Sequence, residues 1–320
     1  MISQHESLVA LSTPVAILGY GNQGRAQALN LRDSGIEVVV GAREGGKAFA
    51  AAVEDGFTPV SLEAAVQRSQ VVMFLLPDTE IPKVYQSLLT LLPGKTVGFA
   101  HGFAFHFGFL ERLSRCEYFL VGPKGAGAIL RSRYESGEGL LGIYAVAENS
   151  RPETLPLAKA YAAAIGCATR YLKQTTFQEE TESDLFGEQV VLCGGIPLLM
   201  QEAFEVLVEN GHDPEMAFLE TCFEAKLIVE LWMKHGPAGM TQKISPTAFY
   251  GGLTRGREIL GSDSKARMQK IFTQIRNGDF AKEWMKEGTT GAPTLKSAYA
   301  SSKSSQLQST YETLKPSIID

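Results

Sequence analysis

Short apolar runs bounded by glycine, proline or charge punctuate the first 150 residues. Val15–Leu18, Glu37–Val40, Val71–Leu76, Thr96–Ala100, Phe119–Val121 and Gly142–Val146 are rich in β-branched and aromatic residues. Their length and composition predict buried strands. Helical spacing of apolar positions separates the first of them, as in Gly24–Ser34 and Leu62–Arg68. Strand–helix alternation predicts a doubly wound, Rossmann-type parallel sheet with helices on both faces. From about Thr175 the texture changes. Asp184–Met200, Gln201–Asn210, Pro214–Lys234 and Ser264–Asn277 read as helices, with almost no strand signal. The predicted fold class is therefore α/β: a dinucleotide-binding domain over residues 1–175 and an all-α domain over 176–320. The Ser- and Lys-rich tail from Ser297 is expected to lie on the surface or fray.

Composition narrows the partners. The chain is 44% hydrophobic and 20% charged, with a net charge of −5, which leaves no basic footprint for nucleic acid. No unbroken apolar run reaches the roughly 18 residues that span a bilayer, so no membrane partner is expected. Met1–Thr13 lacks a basic segment followed by an apolar one, so no secretory leader is expected. The four cysteines, Cys116, Cys167, Cys193 and Cys222, form no C-x-x-C pair. They read as buried free thiols of a reducing, cytoplasmic compartment.

Gly19-Tyr20-Gly21-Asn22-Gln23-Gly24 follows the first predicted strand and opens the first helix. This is G-x-G-x-x-G in the context that gives it meaning. Gly19 permits a tight turn and Gly21 lets the backbone approach a pyrophosphate. Gly24 lets helix and strand pack closely, and the helix N-terminus offers N–H donors to the phosphates. The second strand runs on to Arg43, with Lys47 close behind. An acidic residue there would hold a ribose 2′-hydroxyl; two cations instead favour a 2′-phosphate and hence NADP, although Glu44 stands between them and solvated cations are the plain alternative.

Two acidic pairs stand in the helical half: Asp184 with Glu188, and Glu220 with Glu224. At i, i+4 each pair shares a helix face, where like charges repel by a few tenths of a kcal/mol. The plain reading is two solvated faces. The neighbouring residues are apolar nearly all round, however, which predicts burial. A buried carboxylate must be neutral, paired or metal-bound. No Lys or Arg lies between Asp184 and Glu224, and His212 is the one other candidate partner. All-oxygen ligands suit Mg²⁺ or Mn²⁺, and four carboxylates are enough for two ions clamping vicinal oxygens of a substrate.

These motifs together resemble ketol-acid reductoisomerase, in its short form. The resemblance is carried by Val15–Gly24, Leu75-Leu76-Pro77-Asp78, Ala100-His101-Gly102-Phe103, His106-Phe107-Gly108 and Pro123-Lys124-Gly125. Its most specific stretch is Glu180–Gln189, continuing to Leu192–Gly195; Lys226–Val229, Ala238-Gly239-Met240 and Phe280–Trp284 also fit. It is collinear from about residue 14 to 260 and then thins. It implies Mg²⁺-dependent alkyl migration in acetolactate or acetohydroxybutyrate, a 2-hydroxy-3-oxo acid, then reduction by NADPH (or NADH) to the 2,3-dihydroxy acid of branched-chain amino-acid biosynthesis. It further implies catalytic roles for His101, Lys124 and Glu224 and a substrate-binding role for Ser245. Two Mg²⁺ ions would sit on Asp184, Glu188, Glu220 and Glu224. Pro77, Asp78 and Gly127 join the glycine turn, Arg43 and Lys47 at the cofactor. The helical domain would be knotted, with the site completed across a homodimer or larger assembly. His101 and Lys124 also follow predicted strands, at the sheet edge where such folds bind ligands. His106 competes with His101 on sequence grounds and reads as structural; His5, His212 and His235 carry no chemical context.

The chain departs from the family's pattern in places. Gly46 and Ala48 replace two serines of the cofactor loop, which predicts a weaker preference for NADPH. Ala104, Ala126, Ala128, Pro246 and Phe249 alter residues assigned to the substrate wall, and Pro246 lacks a backbone donor beside Ser245. They raise two alternatives: a family member acting on a bulkier or different 2-hydroxy-3-oxo acid, and a catalytically silent nucleotide-binding relative.

Overall fold

The computed structural model describes residues 11–318; Met1 to Ala10, which carry His5 and most of the segment judged for a leader, lie outside them. The chain divides into two compact units, the first ending at Ser183 and the second beginning at Asp184.

The first unit is built on seven strands. These are β1 (Val15–Leu18), β2 (Val38–Gly41), β3 (Val71–Phe74), β4 (Thr96–Phe99), β5 (Glu117–Pro123), β6 (Gly142–Val146) and β7 (Leu172–Gln174). Their order is β2-β1-β3-β4-β5-β6-β7. β1 to β5 pair in parallel, but β6 runs antiparallel to β5 and β7 parallel to β6. The sheet is thus mostly parallel, as expected, with one antiparallel pair, β5–β6; the short, largely exposed β7 carried no apolar signal and was not anticipated. Helices α1 (Asn22–Asp33), α2 (Lys47–Glu54), α3 (Leu62–Arg68), α4 (Ile81–Leu88), α5 (Phe103–His106), α6 (Gly127–Glu135) and α7 (Thr154–Ala164) connect the strands.

Both faces of the sheet are covered, so β1 and β3 are buried along their whole length. Strand alternation sorts their side chains into two cores. Val15, Ile17, Met73 and Phe119 join one; Ala16, Leu18, Phe74 and Phe99 join the other. The strand order reverses between β2 and β3 about β1. That switch point opens a crevice beyond the carboxyl ends of β1 and β3.

The second unit is helical. Helix α8 (Phe177–Gly187) enters it and passes into a π-helical turn, π1 (Glu188–Leu192), followed by α9 (Gly195–Glu209). Two separate helices were expected here; the chain forms one continuous helix from Phe177 to Glu209. Then come α10 (Pro214–Phe218), a second π-turn, π2 (Leu219–Phe223), and α11 (Glu224–Thr241), kinked at Gly236–Pro237. Helices α12 (Pro246–Ile259), α13 (Ser264–Arg276), α14 (Asp279–Thr289), α15 (Pro293–Lys303) and α16 (Gln306–Ile318) complete it. The tail does not fray. Leu307, Tyr311, Leu314 and Ile318 of α16 pack on Phe204, Ala217, Phe218 and Cys222. Its low average hydrophobicity hid a four-residue apolar stripe.

One further expectation gains a qualification and another is corrected. The continuous helix contains an 18-residue window with mean hydropathy 1.6, only 6% of it buried, so length and composition alone would let it cross a membrane. Isolated polar residues break the apolar run without lowering its average much. The carboxylate helices are also not buried in the single chain. Asp184 is half-buried and Glu188, Glu220 and Glu224 are exposed, because the apolar faces around them are left uncovered.

Candidate functional site

The glycine turn begins where β1 ends. Gly19 adopts φ +95°, and a Cβ there would lie 2.7 Å from the Leu75 carbonyl oxygen. Gly24 sits inside α1, where a Cβ would fall 2.1 Å from the carbonyl oxygen of Gly19. Neither position admits a side chain. Gly21 is different: a Cβ there would meet nothing within 4 Å. Gly21 is the N-cap of α1 and makes no side-chain cap, so the first N–H groups of the helix face that open space. A cradle with one open glycine over a helix N-terminus fits a pyrophosphate.

The turn is fastened to its surroundings. Asn22 Oδ1 accepts from the Gly127 N–H, and Gln23 donates to the Gly125 carbonyl at 2.9 Å. A Cβ on Gly127 would come within 2.0 Å of the Asn22 carbonyl oxygen, so glycine is required. Lys124, exposed on the same loop after β5, donates its backbone N–H to the Leu141 carbonyl at 2.9 Å. Tyr20 buries its ring against Phe57 and donates its hydroxyl to Asp55 at 2.9 Å. The Arg25 guanidinium beside Asp55 holds that carboxyl below its usual range. Arg43 and Lys47 are exposed at the start of α2, whose N-cap is Gly46. Pro77 and Asp78 follow β3 across the crevice, and Pro77 caps the entry to α4 by accepting from Glu80 and Ile81.

His101 follows β4. Its Nδ1 lies 3.0 Å from Glu180 Oε1, and Glu180 is nearly fully buried on α8. The other carboxylate oxygen accepts the Gly102 N–H at 2.8 Å and the Thr181 hydroxyl at 3.3 Å. Both oxygens are therefore engaged, one with the His101 ring nitrogen and the other with two donors, which fixes the buried carboxyl in place. A Cβ at Gly102 would collide with Thr181 Oγ1, which explains the glycine after the histidine. Glu180 was not singled out for a role from sequence, although it lies in the most specific motif. Its signal was the i, i+4 spacing to Asp184, one helical turn further along α8. His106 faces Glu182 at 3.8 Å, and burial pushes its imidazole below the usual histidine value.

In the second unit, each acidic pair borders a π-turn. Asp184 precedes π1 and Glu188 opens it; Glu220 lies within π2 and Glu224 follows it. Such turns close i→i+5 hydrogen bonds, seen here as Cys193 N–H to the Glu188 carbonyl at 2.8 Å. They rotate the residues that follow and are concentrated at functional sites. Gln189 Nε2 in π1 is buried and has no acceptor among the described residues. Within a single chain no group of three metal-ligand side chains among the described residues includes Glu188, Glu220 or Glu224. The donor set is of the kind that suits hard cations.

Several sequence expectations are corrected. Ser245 caps α12, its Oγ accepting the Ala248 N–H at 3.1 Å, and Pro246 is the first helical residue. That position has no intrahelical use for an N–H, so proline there removes nothing. Ala104 is 1% exposed within the core beside Phe99 and Phe105 and is not part of a pocket wall. Three of the cysteines are buried, but Cys193 is exposed. Burial pushes the Cys167 thiol up to about 12.

Comparison with known proteins bears on the whole chain. Residues 10–170 match the family model "Acetohydroxy acid isomeroreductase, NADPH-binding domain", and 177–318 match "Ketol-acid reductoisomerase, C-terminal domain". The chain is 44% identical over 283 residues to ketol-acid reductoisomerase (NADP(+)) of Methanocaldococcus jannaschii, covering 88% of this chain and 86% of that one. It is 45% identical over 296 residues to the Pyrobaculum arsenaticum protein of the same name, covering 92% and 90%. Among solved structures, an NADH-preferring ketol-acid reductoisomerase from an uncultured archaeon superposes with TM-score 0.92 at 36% identity, over 98% of this chain and 97% of that one. The chain belongs to the ketol-acid reductoisomerase family.

Proposed function

We propose that the protein is a ketol-acid reductoisomerase that isomerises and reduces acetolactate or acetohydroxybutyrate, with NADPH or NADH as hydride donor and Mg²⁺ as the divalent ion. One observation carries the reading: likeness to the family runs through both domains, and both carboxylate pairs are kept, each at a π-turn. The alternative of a bulkier substrate loses two of its supports, since Ala104 lies in the core and Pro246 opens a helix.

The division of labour follows from the residues. The first unit holds the dinucleotide at Gly19–Gly24 and Gly127, with Pro77 and Asp78 across the crevice and Arg43 and Lys47 at the ribose edge. The second unit supplies Asp184, Glu188, Glu220 and Glu224 as oxygen ligands. Divalent ions bound there supply Lewis acidity that polarises the ketone and lowers the alcohol pKa. Glu180 holds His101 through Nδ1 and so fixes the imidazole for its assigned part in proton exchange. Lys124 places a cation beside the same sheet edge. Ser245 spends its lone pair on the α12 cap and keeps its O–H to donate to the substrate. Glu224, next to a π-turn, is assigned a proton-relay role.

The exposed apolar faces and the split carboxylates support a homodimer in which one copy's Glu220, Glu224 and Ser245 meet the partner's copies of the other pair. The long helix is read as facing protein. Glu188 and the other carboxylates of the proposed metal site stand on or beside it, where a lipid-facing surface would carry no charge. Purified protein should consume NADPH with acetolactate only when Mg²⁺ is present. Metal-independent turnover would make it a plain hydroxy-acid dehydrogenase and overturn the reading.

A further inference from the structure

Helix α2 is weakly held by packing. Of its eight residues only Ala52 is fully buried, and its N-cap, Gly46, contributes no side-chain bond. Its other end is held tightly. Asp55, the C-cap, accepts the Tyr20 hydroxyl at 2.9 Å, Arg25 Nε at 2.6 Å and Arg25 Nη2 at 2.8 Å. The Asp55 carbonyl accepts Arg32 Nη1 at 2.6 Å, and Arg32 also lies over Phe57. Tyr20 belongs to the glycine turn, and Arg25 and Arg32 to the helix that the turn opens. One carboxylate therefore joins the phosphate turn to the far end of the helix that carries the Arg43–Lys47 edge.

We propose that Asp55 is a positioning residue for the dinucleotide: it fixes α2, and so the ribose-facing edge, relative to the phosphate turn. This rests on the cofactor reading of that crevice. The lever is long enough to matter. Eight residues span about 12 Å, so a tilt of roughly 10° about the Asp55 end moves the Lys47 end by about 2 Å. That displacement exceeds the tolerance of a hydrogen bond. Since Asp55 sits at the end of α2 remote from Lys47, it acts through the helix.

The test is dinucleotide binding to the purified enzyme, read by fluorescence titration beside steady-state kinetics. Asp55→Ala should raise Kd and KM about tenfold for both NADPH and NADH, with kcat at saturating dinucleotide within about twofold. Tyr20→Phe keeps the buried ring, loses only the hydroxyl, and should raise Kd by about threefold. Added to Asp55→Ala it should have no further effect, because the two residues share one bond. Glu117→Ala is the control. Glu117 likewise holds one arginine by both carboxylate oxygens, here through the Arg151 Nε and backbone N–H at 2.8 Å each, but lies outside the cofactor elements. It should lower Tm and leave Kd unchanged. Folded Asp55→Ala with wild-type Kd would overturn the proposal, as would an equal rise in Kd for Glu117→Ala. Should Asp55→Ala fail to fold, an unchanged Kd in Tyr20→Phe overturns it. Wild-type protein that binds neither dinucleotide would remove the cofactor reading itself.

Discussion

The two units handle apolar surface in opposite ways. Among the described residues, four large apolar side chains are strongly exposed before Ser183, against eighteen after it. In the first unit the sheet and its covering helices close on themselves; Val15, Ile17, Phe74 and Phe119 are at most 1% exposed. In the second, Leu198 is 54% exposed, Val229 50% and Met233 75%. A surface of that character marks an interaction site. The lesson is that the unit assigned to the dinucleotide closes its own core, whereas the unit assigned to the metals leaves apolar surface uncovered, as the proposed homodimer requires.

The sharpest way to break this contrast is to charge the exposed face. Leu198→Asp and Val229→Asp should leave the first unit folded but dissociate the assembly, with activity falling by about 100-fold or more. Sedimentation and turnover measured on the same samples decide it. A wild-type monomer that is fully active would end the idea that a second copy completes the site.

Next in size is a change inside the first unit. Glu180 uses both oxygens as acceptors, one for His101 and one for the Gly102 N–H. Glu180→Gln keeps the volume but turns one acceptor into a donor, so His101 must either lose that bond or accept at Nδ1 in its other tautomer. Activity should drop between roughly 10- and 100-fold, with Kd for the dinucleotide unchanged. Wild-type activity would show that His101 needs no such support.

The same contrast explains what could be read from sequence. Val15–Leu18, Leu62–Arg68 and Gly142–Val146 match their predicted bounds because local periodicity and burial agree within a closed core. The glycine turn was legible because Gly19 and Gly24 answer to steric demands a few ångströms away, while Gly21 leaves open space over the helix N-terminus. In the second unit the step from apolar helix to buried carboxylate failed, because nothing in the described chain covers those faces. The π-turns were invisible, since one extra residue per turn leaves no compositional trace. Ser245 and Pro246 were read for chemistry alone, although a Ser-Pro pair is also a helix-start signal.

Tail packing gives a smaller effect. Tyr311 of α16 contacts Phe218, with ring centroids 6.2 Å apart, and helps wall an apolar cavity of about 520 Å³ beside Phe223 and Lys226. Tyr311→Ala should cost about 2 kcal/mol of stability. Because α16 supports the segment carrying Glu220 and Glu224, the apparent Mg²⁺ affinity should fall with it. Chemical unfolding and Mg²⁺ titration check both. Unchanged values would mean that the tail is an appendage to the second unit.

The smallest effect expected is at the ribose edge of the first unit. Ala48 is the second residue of α2, near Arg43 and Lys47, and carries no hydroxyl. Ala48→Ser adds one donor where a 2′-phosphate would lie, and should raise kcat/KM with NADPH by about threefold while leaving NADH nearly unchanged. Gly46→Ser is less favourable, because its Cβ would sit 3.0 Å from the Arg43 carbonyl oxygen and its hydroxyl is drawn to cap α2. The double variant should therefore gain little over Ala48→Ser alone. If Gly46→Ser supplies the larger gain, the helix start yields more readily than its geometry implies. The closed half of the molecule would then be more adaptable than the comparison allows.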